Sequence, residues 1–254
     1  MASNPRSPAK IFTLFSYVIL VVSLAHARLG RSGSESVATD LTLLSAKKVM
    51  LDLYYETLCP FSAKFIAEQL PRIFDNGLID IVTLQLVPWG NAIIRPNKTF
   101  ECQHGTDECK LNIIHACAIA FWPSVKDHFP FIHCVEKLVY EGNYTQWETC
   151  FEASALDPKP VLDCYSSGYG SKLELMYAAV TAALQPAHQY VPWVVVDRKP
   201  LYEDYDNFIH YVCKGYKGTL PSACNYQDIE NGPNEADHIH PRPVFYSLHP
   251  DKSA

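Results

Sequence analysis

A strand that runs directly into a cysteine constrains this chain more than any other feature. Val49-Met50-Leu51-Asp52-Leu53-Tyr54-Tyr55-Glu56 places Val49, Leu51, Leu53 and Tyr55 on one face, and Cys59-Pro60-Phe61-Ser62 follows at once. From Pro60 to Phe74 the apolar residues Phe61, Phe65, Ile66, Leu70, Ile73 and Phe74 form a helical stripe. Pro60 suits the first helical position, because its missing N–H costs nothing there. Cys59 therefore falls where a strand stops and a helix starts. Unpaired backbone N–H groups and the positive end of the helix dipole favour a thiolate at such a junction. A redox dithiol would place a second cysteine at position 62, and this chain has Ser62 there.

The rest of the cysteines speak to compartment. The 254-residue chain has nine, and its first residues look like a cleaved secretory signal. Arg6 and Lys10 form a basic start, Ile11 to Leu24 is apolar, and Ala25-His26-Ala27 fits a small-x-small cleavage site, giving a signal peptide over 1–27. That apolar stretch is shorter than the roughly 20 residues a membrane span needs, so the mature protein is expected to have no membrane association. Export is oxidising, and an odd count leaves at least one thiol unpaired. Cys59 is the natural candidate for it. Cys102, Cys109, Cys117, Cys134, Cys150, Cys164, Cys213 and Cys224 are then the disulfide candidates, with a connectivity that spacing alone does not specify. Two sequons, at Asn97 and Asn143, predict N-glycosylation. The formal net charge of −6 argues against nucleic acid as a partner.

Along the chain, residues 28–47 read as a flexible leader and 226–254 as a disordered tail. Pro71 should kink or shorten the helix after Cys59, Asp75-Asn76-Gly77 is a turn, and Leu78 to Val87 reads as a second strand. Strand, helix and strand in so few residues imply a parallel pair. The segment of about 88–170 carries six cysteines and both sequons, with helical patterns at Asn112–Phe121 and Phe129–Tyr140, and reads as a disulfide-braced helical insertion. Ser171 to Leu184 follows as an amphipathic helix whose stripe is Leu173, Met176, Ala179, Val180 and Ala183. Tyr190-Val191-Pro192-Trp193-Val194-Val195-Val196-Asp197 has the composition of a buried strand, and Asp204 to Lys214 closes the domain as a helix.

Cys102-Gln103-His104-Gly105-Thr106-Asp107-Glu108-Cys109-Lys110-Leu111-Asn112, ending at Cys117, resembles the signature of the gamma-interferon-inducible lysosomal thiol reductase family, C-Q-H-G-x-x-E-C-x-x-N-x-x-x-x-C. The Tyr190–Val196 segment and the strand before Cys59 look like this family too, and the resemblance spans about Lys48 to Cys224. It implies an α/β, thioredoxin-like fold over 48–225 with a helical insertion, and reduction of protein disulfides in acidic or secretory compartments. It also implies a cis proline at Pro192 beside the active cysteine, Cys59 as nucleophile, and Ser62 at the position of the lost resolving cysteine. Gln103, His104, Gly105 and Glu108 belong to the signature, either to bind substrate or to hold the insertion.

A thiolate at Cys59 can attack a substrate disulfide, but Ser62 cannot resolve the mixed disulfide. The expectation is a thiol–disulfide oxidoreductase with one active cysteine, acting on disulfide-containing proteins. It needs no bound cofactor, only an external thiol such as glutathione. The alternative is a binding protein that keeps the substrate groove without turnover. A zinc site built from the cysteine block with His104 and His115 is disfavoured in an oxidising compartment, as is one at His238 and His240. Secretion is the expected location, with a lysosome or vacuole reached by the same pathway as the alternative.

Overall fold

The computed structural model describes residues 46–225. The signal peptide, most of the leader, the tail and its histidines lie outside the described residues. Strand β1, Val49–Tyr55, is central to a four-stranded sheet of order β2-β1-β5-β6, with β2 Val82–Pro88, β5 Trp193–Val196 and β6 Lys199–Pro200. β1 and β2 run parallel, as the β–α–β pattern predicts, and β5 and β6 are antiparallel to their neighbours. Alternation in β1 separates two apolar clusters. Val49, Leu51, Leu53 and Tyr55 enter the main core, while Tyr54 joins Val87, Trp193 and Val195 on the opposite face.

The helix after Cys59 breaks early. Helix α1, Pro60–Lys64, passes into a π-helical turn at Phe65–Gln69, and a separate turn, α2, spans Arg72–Asp75. Pro71 has no N–H to offer the Ala67 carbonyl four residues back, and His133 Nε2 donates to that carbonyl instead, at 3.1 Å. The second strand begins later than its apolar pattern suggests. Gly77, at φ +77°, leads into a 3₁₀ turn at Leu78–Asp80, and Asn76 Oδ1 accepts the Leu78 N–H at 3.1 Å. Leu78 and Ile79 are buried side by side in this turn, so their apolarity marks a plug and not a pleat.

Between β2 and β5 lie a small hairpin and five helices. The hairpin pairs β3 Ile93–Ile94 with β4 Phe100–Glu101. The helices are α3 Thr106–Phe121, α4 Val125–Tyr140, α5 Thr149–Ala153, α6 Lys159–Ser166 and α7 Tyr169–Ala182. Cys102–Cys109 ties the approach to α3 onto its first turn, Cys117–Cys164 joins α3 to α6, and Cys134–Cys150 joins α4 to α5. The fourth bridge, Cys213–Cys224, anchors the end of α8, Phe208–Gly215.

Helix α7 corrects the sequence reading. Its buried face is Gly170, Glu174, Ala178 and Thr181, whereas Met176, Ala179, Val180 and Ala183 are exposed, Met176 by 63%. Close approach explains the reversal. A Cβ at Gly170 would lie 2.4 Å from Ile113 Cγ2 and 2.8 Å from Cys117 Sγ, so α7 packs on α3 through its smallest residues.

Candidate active site

β1 delivers Glu56, Thr57 and Cys59 to one end of the sheet. Leu58 takes φ +62°, which turns the chain, and Cys59 occupies the cap before Pro60 and accepts the Ala63 N–H at 2.9 Å. All eight other cysteines are paired, which leaves Cys59 as the free thiol. Phe61 beside it is half exposed, and Ser62 is fully buried. The sheet register sets Trp193 opposite Tyr54, so Val191 and Pro192 enter β5 at the end from which β1 runs out to Cys59. The Val191–Pro192 bond is cis.

The thiol differs from the activated form its position suggests. Cys59 is only 5% exposed, and burial pushes its pKa up to about 11. The Ser62 and Phe61 backbone N–H groups pull it down, as the dipole picture requires, while the charge of Glu56 pushes it up further. Desolvation wins because a thiolate out of water loses more than two or three donors restore. The Ser62 hydroxyl lies near enough to favour the thiolate, yet it is not aligned into a hydrogen bond.

The signature residues surround the approach to Cys59. Asn112 Oδ1 accepts the Thr57 N–H at 2.9 Å, and the Thr57 hydroxyl donates to the Glu108 carbonyl at 3.1 Å. Glu108 Oε2 accepts the His104 backbone N–H at 2.7 Å and contacts His104 Nδ1 at 2.5 Å. Glu56 Oε2 accepts the Asn91 N–H at 2.7 Å, and Glu56 Oε1 lies 3.7 Å from His104 Nδ1. Asn91 Nδ2 in turn donates to Gln103 Oε1 at 2.9 Å. Gly90, at φ +58°, closes over this carboxylate, where a Cβ would come within 2.4 Å of Glu56 Oε2.

Electrostatics follows from this crowding. Burial and the charge of Glu108 raise the Glu56 pKa to about 7, against the Asn91 hydrogen bonds and His104 that lower it. His104 is raised, first by its hydrogen bond to Glu108. Glu56, His104 and Glu108 present donor atoms within 4.8 Å of one another, a spacing that would suit a cation. Glu108 Oε2 is already spent on His104, however, and Glu56 Oε1 stands 3.7 Å from the same His104 nitrogen, so the imidazole sits between the two carboxylates. The cysteines of the signature are in disulfides, which removes them as ligands.

Sequence reasoning pointed to Cys59, Ser62, Pro192 and the signature block and passed over Glu56, Thr57 and Asn91, which the structure ties to that block by hydrogen bonds. A glutamate ending an apolar strand, three residues before the cysteine, was the available signal. Asn97 and Asn143 are both exposed, Asn97 in the turn between β3 and β4 and Asn143 just past α4.

The sheet, the free cysteine capping the helix after its first strand and the proline opening the facing strand define a thioredoxin-like protein with a disulfide-braced helical insertion. A solved structure of DsbA from Mycobacterium tuberculosis in its reduced form matches the fold at a TM-score of 0.51 and 20% identity, over 76% of this chain and 95% of that one. The sequence model of the gamma interferon inducible lysosomal thiol reductase family matches residues 50–154. An Arabidopsis thaliana gamma-interferon-responsive lysosomal thiol protein is 44% identical over 70% of this chain and 76% of its own length. The mouse gamma-interferon-inducible lysosomal thiol reductase is 32% identical over 89% of this chain and 95% of its own. The chain belongs to this family.

Proposed function

We propose that the protein is a thiol–disulfide oxidoreductase that acts on protein disulfides through Cys59 alone. The observation that carries this reading is the pairing of eight cysteines in four bridges, which leaves Cys59 free at the helix cap with a buried Ser62 three residues on. The family's name, thiol reductase, supports the reaction class. In the first step the Cys59 thiolate attacks one sulfur of a substrate disulfide, forming a Cys59–substrate disulfide and releasing the other sulfur as a thiol after it takes up a proton. An external thiolate then attacks Cys59 Sγ and frees the second substrate thiol, and another external thiol regenerates Cys59. Two external thiols are oxidised to one disulfide for each substrate disulfide reduced.

No bound cofactor enters this scheme, and glutathione is the natural co-substrate. The relatives' names carry the word lysosomal, and we place this chain in an acidic compartment reached through the secretory pathway, with N-glycans on Asn97 and Asn143.

A second reading, a binding protein that retains the groove without turnover, is favoured by one observation: the burial that holds Cys59 protonated. Trapping separates the two. Without external thiol, the purified protein mixed with a disulfide-bonded substrate should accumulate a covalent adduct at Cys59, visible by mass and dispersed by glutathione. No adduct at any pH would favour the binding protein.

A further inference from the structure

We propose that Glu56 is a positioning residue that tunes the ionisation of Cys59: an ionised Glu56 carboxylate opposes the thiolate, and a neutral Glu56 carboxyl lifts that opposition. The inference rests on the reading of Cys59 as the reacting thiol and gives that thiol a control by pH.

Geometry carries the inference. Glu56 is 1% exposed and only Thr57 and Leu58 separate it from Cys59, so little water screens the two groups from each other. Its side chain is fixed on both oxygens. Oε2 accepts the Asn91 N–H at 2.7 Å, and Oε1 lies 3.5 Å from Asn91 Nδ2 and 3.7 Å from His104 Nδ1. The approach to Cys59 is held as firmly, through Thr57 N–H to Asn112 and Thr57 Oγ1 to the Glu108 carbonyl. The charge on Glu56 is therefore held in one place at the base of the turn that leads to Cys59.

The groups facing Glu56 set the pH at which it changes state. From the segment after β2 comes Asn91 and, behind it from the loop between α7 and β5, His188, whose Nε2 contacts Asn91 Oδ1 at 3.2 Å. From the segment before α3 come Gln103 and His104, and from α3 comes Glu108. Glu136 of α4, beside His115, lies behind them, held well above the ordinary glutamate range first by burial and then by the charge of Glu108. His104 is the cationic member among these partners. Burial first, and then the charge of Glu108, make Glu56 gain its proton near pH 7, well above an ordinary glutamate. As pH rises, His104 loses positive charge and Glu56 gains negative charge, and both changes act against the thiolate.

The consequence has a definite shape. For an ordinary thiol the thiolate fraction rises about tenfold per pH unit below its pKa. For Cys59 that rise should stall as Glu56 ionises, because each step toward thiolate now meets a second negative charge. Relative to a free thiol, Cys59 is most reactive in acid.

The test is the rate of Cys59 alkylation by iodoacetamide in the folded, disulfide-intact protein, read by mass from pH 4 to pH 9 beside glutathione. Because Cys59 is the free thiol, the label reports on it alone. The wild type should show a flattening of log rate around pH 7 that glutathione lacks. Glu56→Gln, which keeps the side chain's size, should remove the flattening and react about threefold or more faster at pH 8 while matching the wild type at pH 5. Glu56→Asp should restore the flattening. A wild-type profile parallel to glutathione, or a Glu56→Gln profile that keeps the break, overturns the proposal. A merely structural Glu56 would lower the melting temperature without moving the break. Alkylation is independent of turnover, so loss of the reductase reading would appear as inactivity with the break intact.

Discussion

Asn112 of α3 reaches across to the loop that follows β1 and accepts the Thr57 N–H at 2.9 Å, from a position at which both groups are fully buried. This bond joins the helical insertion to the residue two positions before Cys59. The signature that marks the insertion in the sequence is thus a clamp on the active-site approach. Glu108, four residues earlier on the same helix face, adds the Thr57 hydroxyl contact and the bond to His104.

Asn112→Ala should therefore cost stability and order at the site together. It leaves a buried N–H without a partner, which costs about 1–3 kcal/mol. Thermal unfolding should register that loss, and Cys59 should alkylate faster because its loop opens more often. An unchanged melting temperature would place the clamp elsewhere.

Ser62→Cys supplies the resolving sulfur that this chain lacks. The variant should release reduced substrate without glutathione, once per molecule, leaving a disulfide between Cys59 and the introduced thiol, whereas the wild type stops at the adduct. Electrophoresis of the adduct without reductant distinguishes them. A variant that traps substrate as the wild type does would mean that position 62 cannot reach the mixed disulfide.

Stability should fall as pH rises from about 6.5 to 8. Glu136 and Glu174 are held well above the ordinary glutamate range, first by burial, and Glu56 is raised to about 7. In that window the unfolded chain has already lost these protons while the folded chain holds them more tightly, Glu56 giving up its own around pH 7, so the native state binds more protons and raising the pH disfavours it. His115 and His128 are lowered by burial and act in the opposite sense, but only below the ordinary histidine pKa, where the unfolded chain would protonate them. Melting temperatures across the window should decline, and Glu136→Gln should flatten the decline. A rise over the same window would contradict these ionisation states.

Opposite faces of α7 should respond in opposite ways. Met176→Ser should change stability by less than about 0.5 kcal/mol, because Met176 is in solvent. Gly170→Ala should destabilise by about 1–3 kcal/mol, because its methyl would meet Ile113 and the Cys117 sulfur. Denaturant unfolding of the two variants checks both. Equal costs would mean that the apolar stripe is buried after all.

What was legible in the sequence follows from what is local. The alternation of β1 and the Cys59-Pro60 junction depend on neighbours a few residues apart, and both stand in the structure. The helical character of the segment between β2 and β5 was readable from its periods, and its bracing from its cysteines. The orientation of α7 was not, because periodicity finds a stripe without saying which side is packed, and close approach to α3 favoured small residues over apolar ones. Leu78 and Ile79 suggested a strand for a similar reason, since burial in a turn looks like burial in a pleat. The state of Glu56 depended on groups brought together from residues 91, 104 and 108. No spacing rule assembles those.

The most direct test of the central claim is turnover of a denatured, disulfide-bonded protein in excess glutathione, at acidic and neutral pH, with the wild type beside Cys59→Ser. The account predicts reduction faster than glutathione alone by the wild type, and a fall to the glutathione rate in the variant. Equal rates for the two proteins would contradict it, because the one thiol the fold leaves free would then have no part in the chemistry.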